Sequence, residues 1–287
     1  MEQLEEKPYN TSYILEVYFN AGTISKIKYK DLPNVHFFFC SVPNFKRRSL
    51  IIDNWVCCWK RFEFDQEEYQ VIPSLNGVTS AAASFIQNKI VIVGGVACDR
   101  IGILDWDEFN RGSPWIVSQT KFPIKISNHS MVTYNNKLYV IGGVVWSEDD
   151  VSSGTIWEGT FDSLNNKISW VKLRLRLQRR RYGHFCFVIS NQIIVFGGEY
   201  IDDDVVEIIQ RNESRQGKMK LNYYQGPKVP FKLLAYYDQA ILDRNGRIII
   251  TSNEHGLIIY DHHNRSFKKY PNLKLREERK GYAAILQ

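Results

Sequence analysis

Three stretches of this chain repeat one another: Asn88-Lys-Ile-Val-Ile-Val-Gly-Gly95, Asn136-Lys-Leu-Tyr-Val-Ile-Gly-Gly143 and Asn191-Gln-Ile-Ile-Val-Phe-Gly-Gly198. Each is a turn residue, a short apolar run and a Gly-Gly pair. The first glycines lie 48 and 55 residues apart. Three agreeing copies at one spacing make chance a poor explanation, and an internal period of that size is the mark of a repeat architecture.

The flanks repeat as well. An apolar strand precedes each unit, Ser80-Ala-Ala-Ala-Ser-Phe-Ile86, His129-Ser-Met-Val-Thr-Tyr134 and His184-Phe-Cys-Phe-Val-Ile189. The short polar connection between the two predicts a tight hairpin. After the glycines come a loop and a strand such as Gly154-Thr-Ile-Trp-Glu-Gly-Thr-Phe161. A second polar turn, Asp162 to Asn166, leads to Ile168-Ser-Trp-Val-Lys-Leu173. The unit is therefore four short antiparallel strands. The aromatic content of 14 % agrees with strands rather than helices.

This pattern resembles the kelch repeat, whose signature is Arg-x-x-His, a hydrophobic Gly-Gly strand, and then a Tyr and a Trp in the outer strands. Arg181-Tyr-Gly-His184, Phe196-Gly-Gly198, Phe161 and Trp170 sit close to it. The resemblance implies an all-β propeller in which the glycines (Gly94, Gly95, Gly142, Gly143, Gly197, Gly198) let a strand end turn sharply and let backbones crowd together. It also implies aromatic packing between blades, for Trp55, Trp59, Trp106, Trp115 and Trp157 as well.

Degenerate copies extend the resemblance. Asn245-Gly-Arg-Ile-Ile-Ile-Thr-Ser252 has Thr251-Ser252 where the glycines stand, and Ser49-Leu-Ile-Ile-Asp-Asn54, after His36-Phe-Phe-Phe-Cys40, has Asp53-Asn54. Blades are expected at about 30–72, 80–121, 129–175, 183–224 and 233–270. Residues 1–11 are expected to be a tail and 12–287 one propeller. A sixth blade is expected to close across the termini, from Ser12–Phe19 and Thr23–Tyr29 with Gly281–Leu286. Closure removes an exposed sheet edge. One strand of that blade is missing, so either it is incomplete or the chain is a fragment of a longer one. With the propeller expected to begin by about residue 12, no BTB or F-box segment of a ligase adaptor is expected here, and such a role would need a separate partner chain or missing sequence.

Charge and cysteine content narrow the partner. A formal charge of +6 on 287 residues suits an acidic partner but is too small and too spread out to argue for nucleic acid. The acidic, polar N-terminus is no signal or transit peptide, and no apolar run reaches the ~20 residues of a membrane helix. The five cysteines, Cys40, Cys57, Cys58, Cys98 and Cys186, have no disulfide or zinc spacing and read as reduced thiols. We expect a cytoplasmic monomer with no metal or cofactor.

Propeller topology puts the loops between second and third strands, and those joining blades, on one face. The connectors are basic: Leu175-Arg-Leu-Gln-Arg-Arg-Arg181 is the densest, followed by Lys228 and Lys232, then Lys274, Arg276, Arg279 and Lys280. The other loops are acidic, with Glu148-Asp-Asp150, Glu199, Asp202-Asp-Asp204 and Glu254. A basic inner ring and an acidic outer ring follow, and arginine forks there suit a partner's carboxylates or phosphates. The candidate binding residues are Arg179, Arg180, Lys228, Lys232, Arg276, Arg279 and Trp146, an exposed anchor in an acidic loop. Arg181 is set aside, because the resemblance gives it a structural role. His36, His129 and His184 are expected to be packed and hydrogen-bonded, and His262 and His263 exposed.

No nucleophile elbow, phosphate loop or metal spacing is present. Some kelch-like propellers do catalyse, and the iron-dependent nitrile-specifier proteins among them use Glu-x-x-x-Asp-x-x-x-His. Glu158/Asp162 and Glu199/Asp203 give its first half, but Asn166 and Glu207 occupy the histidine position. The expected function is a protein-interaction module, a scaffold or ubiquitin-ligase substrate receptor. The alternative, implied by kelch-type sialic-acid epimerases, is an enzyme acting on a sugar or small molecule in the central pocket. Convergent, strongly perturbed ionisable groups there would favour it.

Overall fold

The computed structural model describes residues 80–105, 115–147, 151–199, 204–213, 219–235, 239–243, 245–252 and 254–270, and the strands at 13–18, 23–28, 39–44, 48–53, 59–63 and 68–72. Every regular element among them is a strand. β1 (Tyr13–Tyr18) and β2 (Thr23–Lys28) form a hairpin. Four-stranded antiparallel sheets then follow one another along the chain. The first is β3 (Phe39–Asn44), β4 (Arg48–Asp53), β5 (Trp59–Glu63) and β6 (Glu68–Ile72). The second is β7 (Ala82–Ile86), β8 (Lys89–Val93), β9 (Ile101–Asp105) and the short β10 (Ile116–Val117).

The third sheet is β12 (Ser130–Tyr134), β13 (Lys137–Ile141), β16 (Thr155–Asp162) and β17 (Lys167–Arg176). Between blades, β11 (Ile126–Ser127) pairs with β14 (Val144–Val145), and β14 with β15 (Val151–Ser152). The fourth sheet is β18 (Phe185–Ile189), β19 (Gln192–Phe196), β20 (Val205–Glu213) and β21 (Met219–Lys228). The fifth is β22 (Gln239–Leu242), β23 (Arg247–Ser252), β24 (Gly256–Asp261) and β25 (Ser266–Tyr270). The closing strand expected at 281–286 lies outside the described residues.

Local chemistry explains the hairpins. In the turns Gln87-Asn88, Asn135-Asn136 and Ser190-Asn191 both residues have positive φ, between 46° and 62°. That is a type I′ turn, whose twist matches the strands and whose left-handed residues suit Asn. Each turn fixes its register, pairing Ile86 with Lys89, Tyr134 with Lys137 and Ile189 with Gln192. A second device recurs between third and fourth strands. The Asp162 carboxylate accepts from the main chain of Leu164 and Asn165 and the side chain of Asn165, and Asp261 does the same with Asn264.

The second strands read as continuous apolar runs because both of their faces are covered. Leu138 and Val140 pack with Val91, Val93 and Ile103 of the preceding blade. Tyr139 and Ile141 pack with Ile193 and Val195 of the following one. Ile194 and Phe196 turn to Ile248, Ile250, Ile258 and Tyr260 of the fifth. The period of two thus sends alternate residues into opposite cores, each lying between two blades. Removing Ile194 to Ala would cost about 2–5 kcal/mol. Phe161 is buried in the core between the second and third blades with Trp170 packed against it, and Phe122 meets Trp157 at 5.4 Å and Trp170 at 4.9 Å, edge to face.

Candidate partner-binding face

Main-chain hydrogen bonds bring the second-to-third-strand loops and the blade connectors to one end of the molecule. The N–H groups of Gly95, Gly143 and Gly198 donate to the carbonyls of Ile126, Arg181 and Leu233, each on the next connector. Trp146 donates to Lys125 O, Glu199 to Tyr182 O and Val229 to Asp204 O in the same way. The glycine pairs exist for this seam. A Cβ on Gly142 would stand 2.7 Å from Arg181 O and 2.7 Å from His184 Cε1. Gly143, at φ +94°, would press on His129 and Ser127 O.

The fifth blade departs from this. Thr251 and Ser252 stay in β23, paired with Leu257 and Gly256, and the Ser252 hydroxyl accepts from His255 N at 3.2 Å. The left-handed glycine of this hairpin is Gly256, at φ 78°, rather than the residues at 251 and 252.

Arg181 is fully buried, and its surroundings organise the densest connector. Its Nε and Nη2 reach Glu207 Oε1 at 2.9 and 2.8 Å. Nη1 donates to Asp204 Oδ1 at 2.7 Å and to Gly197 O at 2.8 Å, and Nη2 to Val205 O at 3.0 Å. Four guanidinium hydrogen bonds and the Nη2–Glu207 ion pair thereby engage every nitrogen of the group. The carboxylates also hold main chain: Asp204 Oδ2 accepts from Gly197 N at 2.7 Å, and Glu207 accepts from Gln178 N at 2.7 Å and Arg179 N at 3.4 Å. Removing one partner of such a buried cluster costs about 3–5 kcal/mol.

The structural role implied for Arg181 is therefore observed, and the expected two-ring charge layout needs correction. Asp204, placed in the outer acidic ring, is the buried partner of Arg181. Asp204 and Glu207 were missed as partners because each looked like a loop or strand acid on its own. Their signal was an Asp and a Glu three residues apart at the start of an otherwise apolar strand.

Of the candidate binding residues, Arg180, Lys228 and Lys232 are exposed and Arg179 is half-buried, close enough to Tyr223 to offset the effect of burial on that phenol. Trp146 is half-buried rather than free, and its Nε1 donates to Ser127 Oγ at 2.7 Å. The structure gathers Arg179, Arg180, Lys228 and Lys232 at the same end as Trp146. Arg276 and Arg279 lie outside the described residues, as do Glu148–Asp150, Asp202, Asp203, His36, Trp55 and Trp106.

The histidines divide. His129 and His184 are buried at the seam, as expected, but their ring nitrogens have no well-formed hydrogen bond among the described residues. Burial pushes His129 down to about 4, opposed by the Val93 backbone. Burial, then the charges of Arg181 and His129, pushes His184 down to about 3. His262 is not simply exposed. Its Nδ1 lies 3.2 Å from Tyr260 Oη and its Nε2 2.7 Å from Gln192 Oε1, bridging two blades. His263 is exposed.

The carboxylates of the half-matched Glu-x-x-x-Asp pattern are also engaged. Glu158 accepts from Lys137 and, at 2.7 Å, from Tyr139. Burial alone would raise its pKa, but these hydrogen bonds outweigh burial and hold it below the usual range. Asp162 holds its turn. Among the described residues no group of three or more His, Cys, Asp or Glu side chains is placed to hold a metal ion. No helix is long and apolar enough to cross a membrane.

The kelch motif family matches residues 126–157, the seam and the first three strands of the third blade. A curated relative, an F-box/kelch-repeat protein of Arabidopsis thaliana, is 27 % identical over 111 residues, which is 38 % of this chain and 21 % of that protein. The chain therefore spans only about a fifth of that relative. Among solved structures, YjhT is similar with a TM-score of 0.67 at 12 % identity, covering 87 % of each chain. A fungal alcohol oxidase of the AA5 family, solved in complex with copper, is similar with a TM-score of 0.51 at 12 % identity, over 80 % of this chain and 64 % of its own. The chain carries a kelch motif at residues 126–157, and its fold is that of a kelch-type β-propeller.

Proposed function

We propose that this propeller is a protein-interaction module that takes an acidic or phosphorylated partner segment on its connector face. One observation carries the reading. The buried Arg181–Asp204–Glu207 cluster anchors the main chain of Gln178 and Arg179 and the side chain of Arg181, so Arg179 and Arg180 stand on a braced connector. Lys228, the last residue of β21, and Lys232, on the connector that follows, are exposed. A fixed backbone lowers the ordering cost of a charged docking site, and arginine suits carboxylate and phosphate alike. The kelch repeats, and an F-box/kelch relative, support a role as a substrate receptor or scaffold. The engagement of Asp204, Glu207, Glu158 and Asp162 in structural hydrogen bonds supports a binder over an enzyme acting through those groups.

The test is affinity capture with the intact chain and with Arg179→Ala/Arg180→Ala. The double variant should bind its partners about tenfold more weakly, a loss of ~1.4 kcal/mol, with an unchanged melting temperature because exposed charges contribute little to folding. Raised salt should weaken wild-type binding through screening. Equal capture by both proteins would reduce the basic rim to a solvated surface.

A further inference from the structure

Residues 163–198 contain no Asp or Glu but seven basic residues, Lys167, Lys172, Arg174, Arg176, Arg179, Arg180 and Arg181, in a chain whose whole formal charge is +6. The rest of the molecule is therefore close to neutral, and its basic character is concentrated in this stretch. Only Arg181 is buried. The other six lie along β17 and the connector that follows it.

Among the described residues β17 is an edge strand of its sheet, paired with β16. Its sequence alternates: Leu173 and Leu175 pack toward the core shared with the fourth blade, whereas Lys172, Arg174 and Arg176 are exposed. The register against β16 slips here, Trp157 pairing with Lys172 and Thr155 with Arg176, yet the alternation of leucine inside and cation outside persists. Arg174 and Arg176 make no ion pair or side-chain hydrogen bond among the described residues. Val171 beside them is 60 % exposed. The row follows the two-residue repeat of a strand, about 6.4–6.8 Å where the strand is regular, with an irregularity against β16 between Lys172 and Arg176, and leads toward Arg179 and Arg180.

We propose that this outer wall is a docking track for one kind of occupant: an extended peptide segment with Asp or Glu at alternate positions. An extended chain repeats every two residues at the same spacing, so its carboxylates meet Lys172, Arg174 and Arg176 in step, and the residues between them meet Val171. The proposal rests on the reading of the connector face as an acidic-segment site and extends that site down the side of the disc. The competing explanation is that these cations guard an exposed sheet edge against pairing with other chains.

The experiment uses the full chain and two fluorescein-labelled peptides of one composition, one alternating Glu with Val or Ser, the other carrying the glutamates in a block. Fluorescence anisotropy should show the alternating peptide binding several-fold more tightly than the block peptide. Arg174→Glu/Arg176→Glu should reduce its affinity about tenfold or more. Arg174→Gln/Arg176→Gln, the milder pair if the reversal disturbs folding, should reduce it less. Arg179→Ala/Arg180→Ala should do less harm to this peptide than the wall reversal. Three outcomes overturn the track: no binding of the alternating peptide, no effect of the wall variants, or tighter binding of a single-stranded oligonucleotide by the same residues. Wall variants that self-associate on size exclusion but bind peptide normally would make the cations edge guards. Loss of peptide binding only in Arg179→Ala/Arg180→Ala would leave the connector reading standing and remove the wall from it.

Discussion

A buried neutral imidazole makes stability depend on pH. His129 and His184 are pushed down to about 4 and about 3 from an ordinary 6.5, burial being the main cause. Above pH 6.5 both states hold these rings neutral, and the histidines contribute no pH dependence. Below it the unfolded chain takes up protons that the folded chain refuses, so stability falls as pH falls through the window from about 6.5 to about 4. The slope is ~1.4 kcal/mol per pH unit for each histidine. Urea midpoints at pH 7, 6 and 5 should drop with acidity, and His129→Gln/His184→Gln should flatten that drop even if it lowers the midpoint overall. An unchanged slope in the double variant would sink this account. The sequence showed where the histidines recur but not the state of their rings. Their position at the start of an inner strand was readable, whereas the loss of hydrogen-bond partners depends on a neighbouring blade's glycines.

Elements carry the same lesson in the opposite direction. The Gly-Gly strands were plain in the sequence because two independent constraints act at one site: a left-handed backbone, and a connector carbonyl under 3 Å from where a Cβ would be. Gly143→Val should destabilise the fold by several kcal/mol, since φ is +94° and the new side chain would meet His129 and Ser127 O. Ser252→Val should cost less, because that residue stays in regular strand pairing with no positive φ. It would lose one hydroxyl contact, to His255 N, worth about 1 kcal/mol. Denaturant unfolding of the two variants compares them directly, and equal losses would mean that the fifth blade is built like the others. What the sequence hid is the Arg181 cluster. Its acids come from a loop end and from one position on β20, and only folding brings them to the connector 23 and 26 residues earlier. Trp146 misled for a related reason: an aromatic among acids suggested exposure, while its indole N–H was already taken by Ser127.

At the scale of the molecule the open question is how the ring of blades is completed, and we expect it to close across the termini. β3, β7, β12 and β18 stand side by side as innermost strands, stitched by Ser84 Oγ to Thr133 Oγ1 at 2.8 Å and by Ser130 Oγ to His184 O at 2.8 Å. Each blade buries its apolar faces only against neighbours, so a first blade and a last blade left apart would each expose one. The β1–β2 hairpin forms a two-stranded sheet, as half a blade would, and Gly281-Tyr-Ala-Ala-Ile-Leu286 has the apolar character of an inner strand. Joining them covers both faces and removes two strand edges that would otherwise invite aggregation. Deleting residues 1–30 should then lower the melting temperature by several degrees, at ~2–4 °C per kcal/mol for a chain of this size, or make the protein aggregate. Hydrogen exchange supplies the sharper reading. In the full chain the amides of residues 281–286 should be protected, and in the truncated chain they should exchange freely while those of β13 and β19 stay slow. A truncated protein as soluble and stable as the full chain, with residues 281–286 unaffected, would refute terminal closure.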